Sequence, residues 1–212
     1  MNDLVCGWGI NDAGYAIQAT TSSLSAGVRQ RIVEFDCPYY RRWSLMLMRC
    51  HNAKFRARNP AYAKATICDE WKSFAAFRAW MERQPWQGNE LDKDILGDGA
   101  HYSPDTCCFV PKRVNMFWTR CTSKDGGLIG VSFVKSRGNY VAQCSNGGHR
   151  KALGVFSSAI DAHKAWIRAK GQALDDLLNP LCLDERIVKG MYDKLRAFEI
   201  AADELSRGEG HD

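Results

Sequence analysis

Residues 90–118 read ELDKDILGDGAHYSPDTCCFVPKRVNMFW, and the reading of this stretch decides the fold. Residues 91–96 mix apolar and acidic side chains and predict a strand. Gly97-Asp98-Gly99 breaks the run, because glycine takes positive φ without steric cost. Residues 107–110 form a second short apolar run. Pro111 suits a first helical turn, and Asn115 falls one turn further on. The order is strand, glycine turn, strand, helix start. A carboxylate leaving the first strand, Asp92, and an amide on the helix, Asn115, supply oxygen ligands of the kind that suit a hard divalent cation such as Mg²⁺ or Mn²⁺.

The stretch resembles the HNH (ββα-metal) nucleases, in particular the phage and intron-encoded homing branch. Leu91-Asp92-Lys93 matches the Leu/Val-Asp-His/Arg box of that branch. Tyr102-Ser103-Pro104-Asp105-Thr106-Cys107 matches its Tyr-x-Pro-x-Asn-Cys box. Asn115 falls where the family carries its helix amide. Upstream, residues 43–50 and 68–77 are similar to the Trp, Arg-Cys and Cys-x-x-Trp-x-x-Phe blocks that precede the Asp box in phage HNH proteins. The resemblance covers residues 38–118. It implies a bacteriophage homing endonuclease, a hydrolase working in the host cytoplasm with magnesium held by Asp92 and Asn115. The sequence departs from the pattern twice. Lys93 stands where the family has its base His, and Thr106 stands where it has Asn. Lys93 is therefore read as a phosphate clamp, and His101 or Asp94 as the group that takes a proton from water.

Around this stretch the chain, 212 residues long with 45% hydrophobic and 11% aromatic residues, has the composition of a packed protein of the α+β class. No run of about 18 apolar residues predicts a membrane span, and no leader pattern is visible at the start. The nine cysteines are odd in number and lack a Cys-x-x-Cys spacing. They read as reduced thiols, with a structural zinc on Cys37, Cys50, Cys68 and Cys107, near His51, as the alternative. Residues 1–155 hold 21 Lys and Arg against 13 Asp and Glu, a net of +8, while residues 156–212 hold 8 against 11, a net of −3. A basic front and an acidic tail point to a polyanion as partner of the front.

Four regions are expected. Residues 1–36 read as an arm, with short strands at 5–10 and 15–17 and a Ser/Thr-rich loop at 20–27. Residues 37–121 read as the HNH-like domain. Within it, a helix from Pro38 to about residue 52 carries an apolar face of Tyr40, Trp43, Leu47 and Cys50. Arg41, Arg42 and Arg49 lie off the centre of that face, as solvated cations or as phosphate contacts. A second helix from about residue 69 to 84 carries the stripe Trp71, Phe74, Phe77 and Met81. Residues 119–127 read as a polar linker.

Residues 127–180 then alternate as three strands (128–135, 139–144, 151–156) with turns at Ser136-Arg137-Gly138 and Ser145-Asn146-Gly147-Gly148. A helix follows, capped by Ser157 or Ser158, with Asp161 completing a capping box. Gly130-Val131, Tyr140-x-Ala142, Leu153-Gly154-x-Phe156 and Asp161-Ala162-x-x-Ala165 look like an AP2 DNA-binding domain. In that family the sheet lies in the major groove of double-stranded DNA. The resemblance maps its reading positions onto Ser132, Gln143, Ser145 and Arg150. Lys135, Arg137, His149 and Lys151 at the rims of the sheet are the expected phosphate contacts, and Lys112 and Arg113 are further expected DNA-binding residues. Residues 183–206 predict a C-terminal amphipathic helix with the stripe Val188, Met191, Leu195, Phe198, Ala202 and Leu205. It packs on the AP2-like domain or pairs with another chain.

Overall fold

The computed structural model describes residues 4–25, 28–119, 121, 127–146 and 149–208. Residues 122–126 of the expected linker, Gly147-Gly148 and the tail 209–212 lie outside the described residues. The chain divides into two units, Met1–Pro111 and Lys112–Asp212, each mixing helix and strand. Residues 112–121, expected with the first unit, count with the second.

The first unit opens on an arm and a hairpin. The expected strands at 5–10 and 15–17 reduce to isolated bridges, Val5 to Gly9 and Ile10 to Ser73. The expected loop at 20–27 is instead mostly strand. β1 (Gln18–Ser25) pairs antiparallel with β2 (Val28–Asp36), with Thr20 opposite Val33 and Thr21 opposite Ile32. The β-branched threonines favour this pairing, although the ribbon leaves even Leu24 exposed at 74%. The described side chains of the ribbon are exposed or half-buried and show no inward apolar row.

α1 (Pro38–His51) forms as expected, with Trp43, Met46, Leu47 and Cys50 buried. The Asn52 side chain accepts from the amide of Phe55 and starts α2 (Ala53–Arg58). β3 (Thr66–Ile67) follows. The single helix expected from 69 to 84 is broken in two. A 3₁₀ turn, Asp69–Lys72, ends at Ser73, whose backbone is extended at φ −79° and ψ 126°. α3 (Phe74–Glu82) then begins afresh. Ser73 Oγ accepts from the amide of Ala76 and donates to Asp12 Oδ2 at 2.6 Å, while Asp12 Oδ1 accepts from the amide of Ala75. The arm thus supplies half of this helix cap. The core is aromatic: Trp43, Trp71, Phe74, Phe77 and Phe109 are almost wholly buried. The Trp43 indole N–H donates to the Trp71 carbonyl at 2.7 Å.

β4 (Glu90–Asp92) pairs antiparallel with β6 (Cys108–Val110), and between them β5 (His101–Tyr102) pairs parallel with β3. The first strand of the opening stretch ends at Asp92 instead of running to residue 96. The Asp92 carboxylate captures the amides of Asp94 and Ile95, and the captured backbone turns away from the ladder.

In the second unit, α4 (Lys112–Asn115) is a single turn. β7 (Val131–Val134), β8 (Asn139–Asn146) and β9 (His149–Phe156) form an antiparallel sheet in that order. β7 starts later than expected, because Gly130 has φ +77° and lies against the Trp166 indole, where no Cβ fits. α5 (Ala159–Leu178) is capped by Ser158 Oγ, which accepts from the amides of Ile160 and Asp161. Its buried face takes in His163 and Lys170 beside Ala162, Ala165 and Trp166. Ala142 of β8 packs on Ala162 and Ala165.

α6 (Glu185–Gly208) lies along α5. Lys164 meets Asp203 at 3.2 Å and Tyr192 donates to Asp175 at 2.6 Å, so the two helices run antiparallel. The packing alternative for this helix is the one observed. Ile187 joins its buried stripe, Leu205 stays 47% exposed, and Arg207 and Gly208 belong to the helix and not to a frayed tail.

Candidate metal centre and nucleic-acid interface

Asp92 closes β4 opposite Cys108 and is only 5% exposed. Its Oδ1 accepts two amide hydrogens, each at 2.8 Å, from Asp94 and Ile95. This is a carboxylate fixed by its own backbone, held without a flexible rotamer. Asn115 ends α4, half-buried, in the second unit.

Lys93 is buried at 7% exposure, unusual for lysine. Its ammonium donates to Asp94 Oδ1 at 2.7 Å and lies 5.7 Å from the ring centres of both Tyr62 and Tyr102. Arg49 reaches the same pair of rings: Nη1 donates to the Tyr102 hydroxyl at 3.4 Å, and the guanidinium lies 5.4 Å from the Tyr62 ring centre. Burial pushes the Tyr102 pKa above its usual value, so this hydroxyl stays neutral. Two cations therefore meet at Tyr62 and Tyr102, and one exposed carboxylate is paired to Lys93. The cluster holds two cations against one carboxylate.

His101 begins β5, with Nδ1 2.8 Å from Thr66 Oγ1. Its backbone carbonyl accepts from Thr106 Oγ1 at 2.6 Å. The same Thr106 hydroxyl accepts from the Ser103 amide at 3.1 Å and lies 3.0 Å from Ser103 Oγ. Thr106 thus ties His101 to Ser103 across the loop. Tyr62, Thr66 and the ring contact of Arg49 were not foreseen from sequence. They reach the opening stretch from 31 to 53 residues away, and no local spacing encodes that.

Of the other expected contacts in the first unit, Arg41 is exposed on α1, and Arg42 donates to the Asn89 carbonyl at 3.2 Å. Cys37, Cys50, Cys68 and Cys107 carry free thiols. Burial pushes the Cys50 thiol up to about 11 and the Cys107 thiol up to about 12. His51 stacks on Trp8 with ring centres 4.7 Å apart. Among the described residues no three His, Cys, Asp or Glu side chains gather as a metal-holding group.

In the second unit, Lys112 and Arg113 are exposed on α4. The strand register orders the sheet's outward face. Ala142 and Cys144 point inward and are buried, so Val141, Gln143 and Ser145 point outward by alternation. Ser132 sits opposite Val141, and Ser145 opposite Arg150. All four expected reading positions thus share one face, with Ser132, Ser145 and Arg150 exposed and Gln143 half-buried. Lys135 and Arg137 lie exposed at the β7–β8 turn, and Lys151 is exposed on β9. From residue 128 to residue 156 the sequence holds Lys135, Arg137, Arg150 and Lys151 and no Asp or Glu.

No helix among the described residues is long and apolar enough to cross a membrane. No family model, curated protein or solved structure matches the chain.

Proposed function

We propose that the chain is a metal-dependent, HNH-type endonuclease of the homing kind that nicks double-stranded DNA and is targeted by an AP2-like sheet. The observation that carries the reading is the β4–β6 pair with the buried Asp92 carboxylate at its end, followed in the chain by the helical turn that ends on Asn115. The donor set fits a metal with few protein ligands: hard oxygens, one carboxylate and one amide, suit Mg²⁺, which keeps much of its water. Asp92 would hold it, with Asn115 the further ligand that the sequence resemblance implies, and it would polarise the scissile phosphate and stabilise the leaving oxygen.

The chain's own groups divide the remaining work. Lys93, donating to Asp94 and enclosed by Tyr62 and Tyr102, acts as a cation on the phosphate. Arg49, on the same rings, adds to that field. With Nδ1 of His101 taken up by Thr66, Nε2 is the nitrogen that would accept the proton of water. The outward sheet face and its basic rim hold the duplex.

The same burial of Lys93 favours a second reading, a DNA-binding regulator built on an HNH scaffold without its base. A supercoiled plasmid separates the two. Nicked circles formed with Mg²⁺ or Mn²⁺, abolished by EDTA and lost in Asp92→Ala and Asn115→Ala while DNA binding survives, support the nuclease. Salt-dependent binding with no product supports the regulator. Cleavage retained in both variants removes the site assignment.

A further inference from the structure

The outward face of the sheet is not uniformly polar. Ser132, Val141 and Val155 form one row across its three strands, and Val155 is 57% exposed. Val155 stands beside neither the buried Ala142 nor the α5 contact, so packing does not account for an aliphatic side chain there. The next rows pair Gln143 with Ala152 and Ser145 with Arg150. Along the face the row that holds Val141 and Val155 is thus followed by hydrogen-bonding and cationic side chains, with Lys135 and Arg137 at the β7–β8 turn on its other side. The absence of any carboxylate between residues 128 and 156, against four Lys and Arg, fits a polyanion as the occupant.

We infer that Val155, with Val141, reads the 5-methyl group of thymine in the major groove, and so sets part of the sequence preference of this face. The inference rests on the reading of the sheet as a duplex-DNA surface. The major groove presents only one aliphatic feature, the C5 methyl of thymine. A Val–Val pair, Val155 exposed and Val141 half-buried beside it, has no hydrogen bond to offer a base edge, and an apolar methyl is the group it can desolvate. Arg150, at the far end of the same face, has the geometry for guanine. The preferred site should then place thymine and guanine at separate, fixed positions.

The experiment starts from the duplex that the full chain enriches from a randomised pool in EDTA. Its affinity is compared with that of the same duplex carrying uracil in place of thymine, one position at a time. Uracil lacks only the methyl. The expected result is a loss on the order of fourfold at one or two positions, the worth of one buried methyl. In Val155→Ser the uracil-to-thymine ratio should fall to about one, because neither duplex then gains from the contact. Val155→Thr, which keeps the branched shape, should lower the ratio in the same direction. A ratio of one at every position in the native chain, or a ratio unchanged in both variants, overturns the inference. Tight binding with no sequence enriched overturns it while leaving the duplex-binding reading in place. No binding to any duplex removes both.

Discussion

Asp94 and Gly99 are in closest possible contact: a Cβ at Gly99 would stand 2.5 Å from Asp94 Oδ1 and 3.9 Å from Lys93 Nζ. Gly99 also has φ +77°, a backbone state that side chains resist. The loop between β4 and β5 thus closes over the Lys93–Asp94 ion pair, and glycine is what lets it close.

Gly99→Ala should therefore displace Asp94 as well as strain the turn. We expect a loss of about 1–3 kcal/mol in stability, read from the urea midpoint. Gly88, also at positive φ but with open space around it, is the control. Gly88→Ala should cost only the strain of the turn. Equal losses at the two positions would mean that the contact with Asp94 contributes nothing.

Asp92 has a structural and a chemical assignment, and Asp92→Asn separates them. The asparagine carbonyl still accepts the amides of Asp94 and Ile95, so folding should change by about 1 kcal/mol. Asp92→Ala leaves those amides without their partner and should cost about 2–4 kcal/mol. Mg²⁺-dependent nicking should disappear in both. An Asp92→Asn protein that nicks at the native rate would leave Asp92 as a turn-former only.

The raised thiols set an alkaline limit. Cys50 and Cys107 titrate at about 11 and about 12 in the folded chain against 9.0 for a free thiol, because burial penalises the thiolate. The unfolded chain loses these protons first, so stability is intact below about pH 9 and falls as pH rises from there toward 11. The melting temperature should drop between pH 9 and 10.5. In the native protein at pH 8 the exposed Cys182 should react with a thiol reagent while Cys50 and Cys107 react only on denaturation. Rapid native labelling of Cys107 would contradict its burial.

Lys170 is buried at 5% exposure, donates to the Phe117 carbonyl at 2.9 Å and lies 3.6 Å from the Phe117 ring centre. It fastens the segment before the sheet onto α5. Lys170→Met keeps the aliphatic volume but strands the carbonyl and removes the cation, and should cost about 1.5–3 kcal/mol. A melting curve unchanged from native would show that the contact is dispensable.

Much of this was legible along the chain. Asp92, Cys108 and Val110 sit where short-range pattern placed them, and Ser158 caps the helix that its position announced. The alternation of Gln143 and Ser145 is a period-two signal, and the register bears it out. What was not legible depends on partners distant in sequence. Asp12 breaks the expected 69–84 helix at Ser73 from 61 residues away. Lys170 looks like a solvated cation on a helix until Phe117 is seen beneath it. Thr20 and Thr21 read as loop because the described side chains around them, residues 20–22 and Leu24, are exposed, and burial is what gives a strand its visible pattern. In the site, Lys93 is readable as a substitution, but its enclosure by Tyr62, Tyr102 and Asp94 is not.

The two faces of β8 are assigned to different tasks at every second residue. Ala142 and Cys144 are shut against the helix side, whereas Ser145 is exposed and Gln143 half-buried. The exposed outward letters are in that sense erasable: a library varied at residues 132, 145 and 150 draws on little packing energy. A protein of this build can change what it prefers faster than it can change what it is.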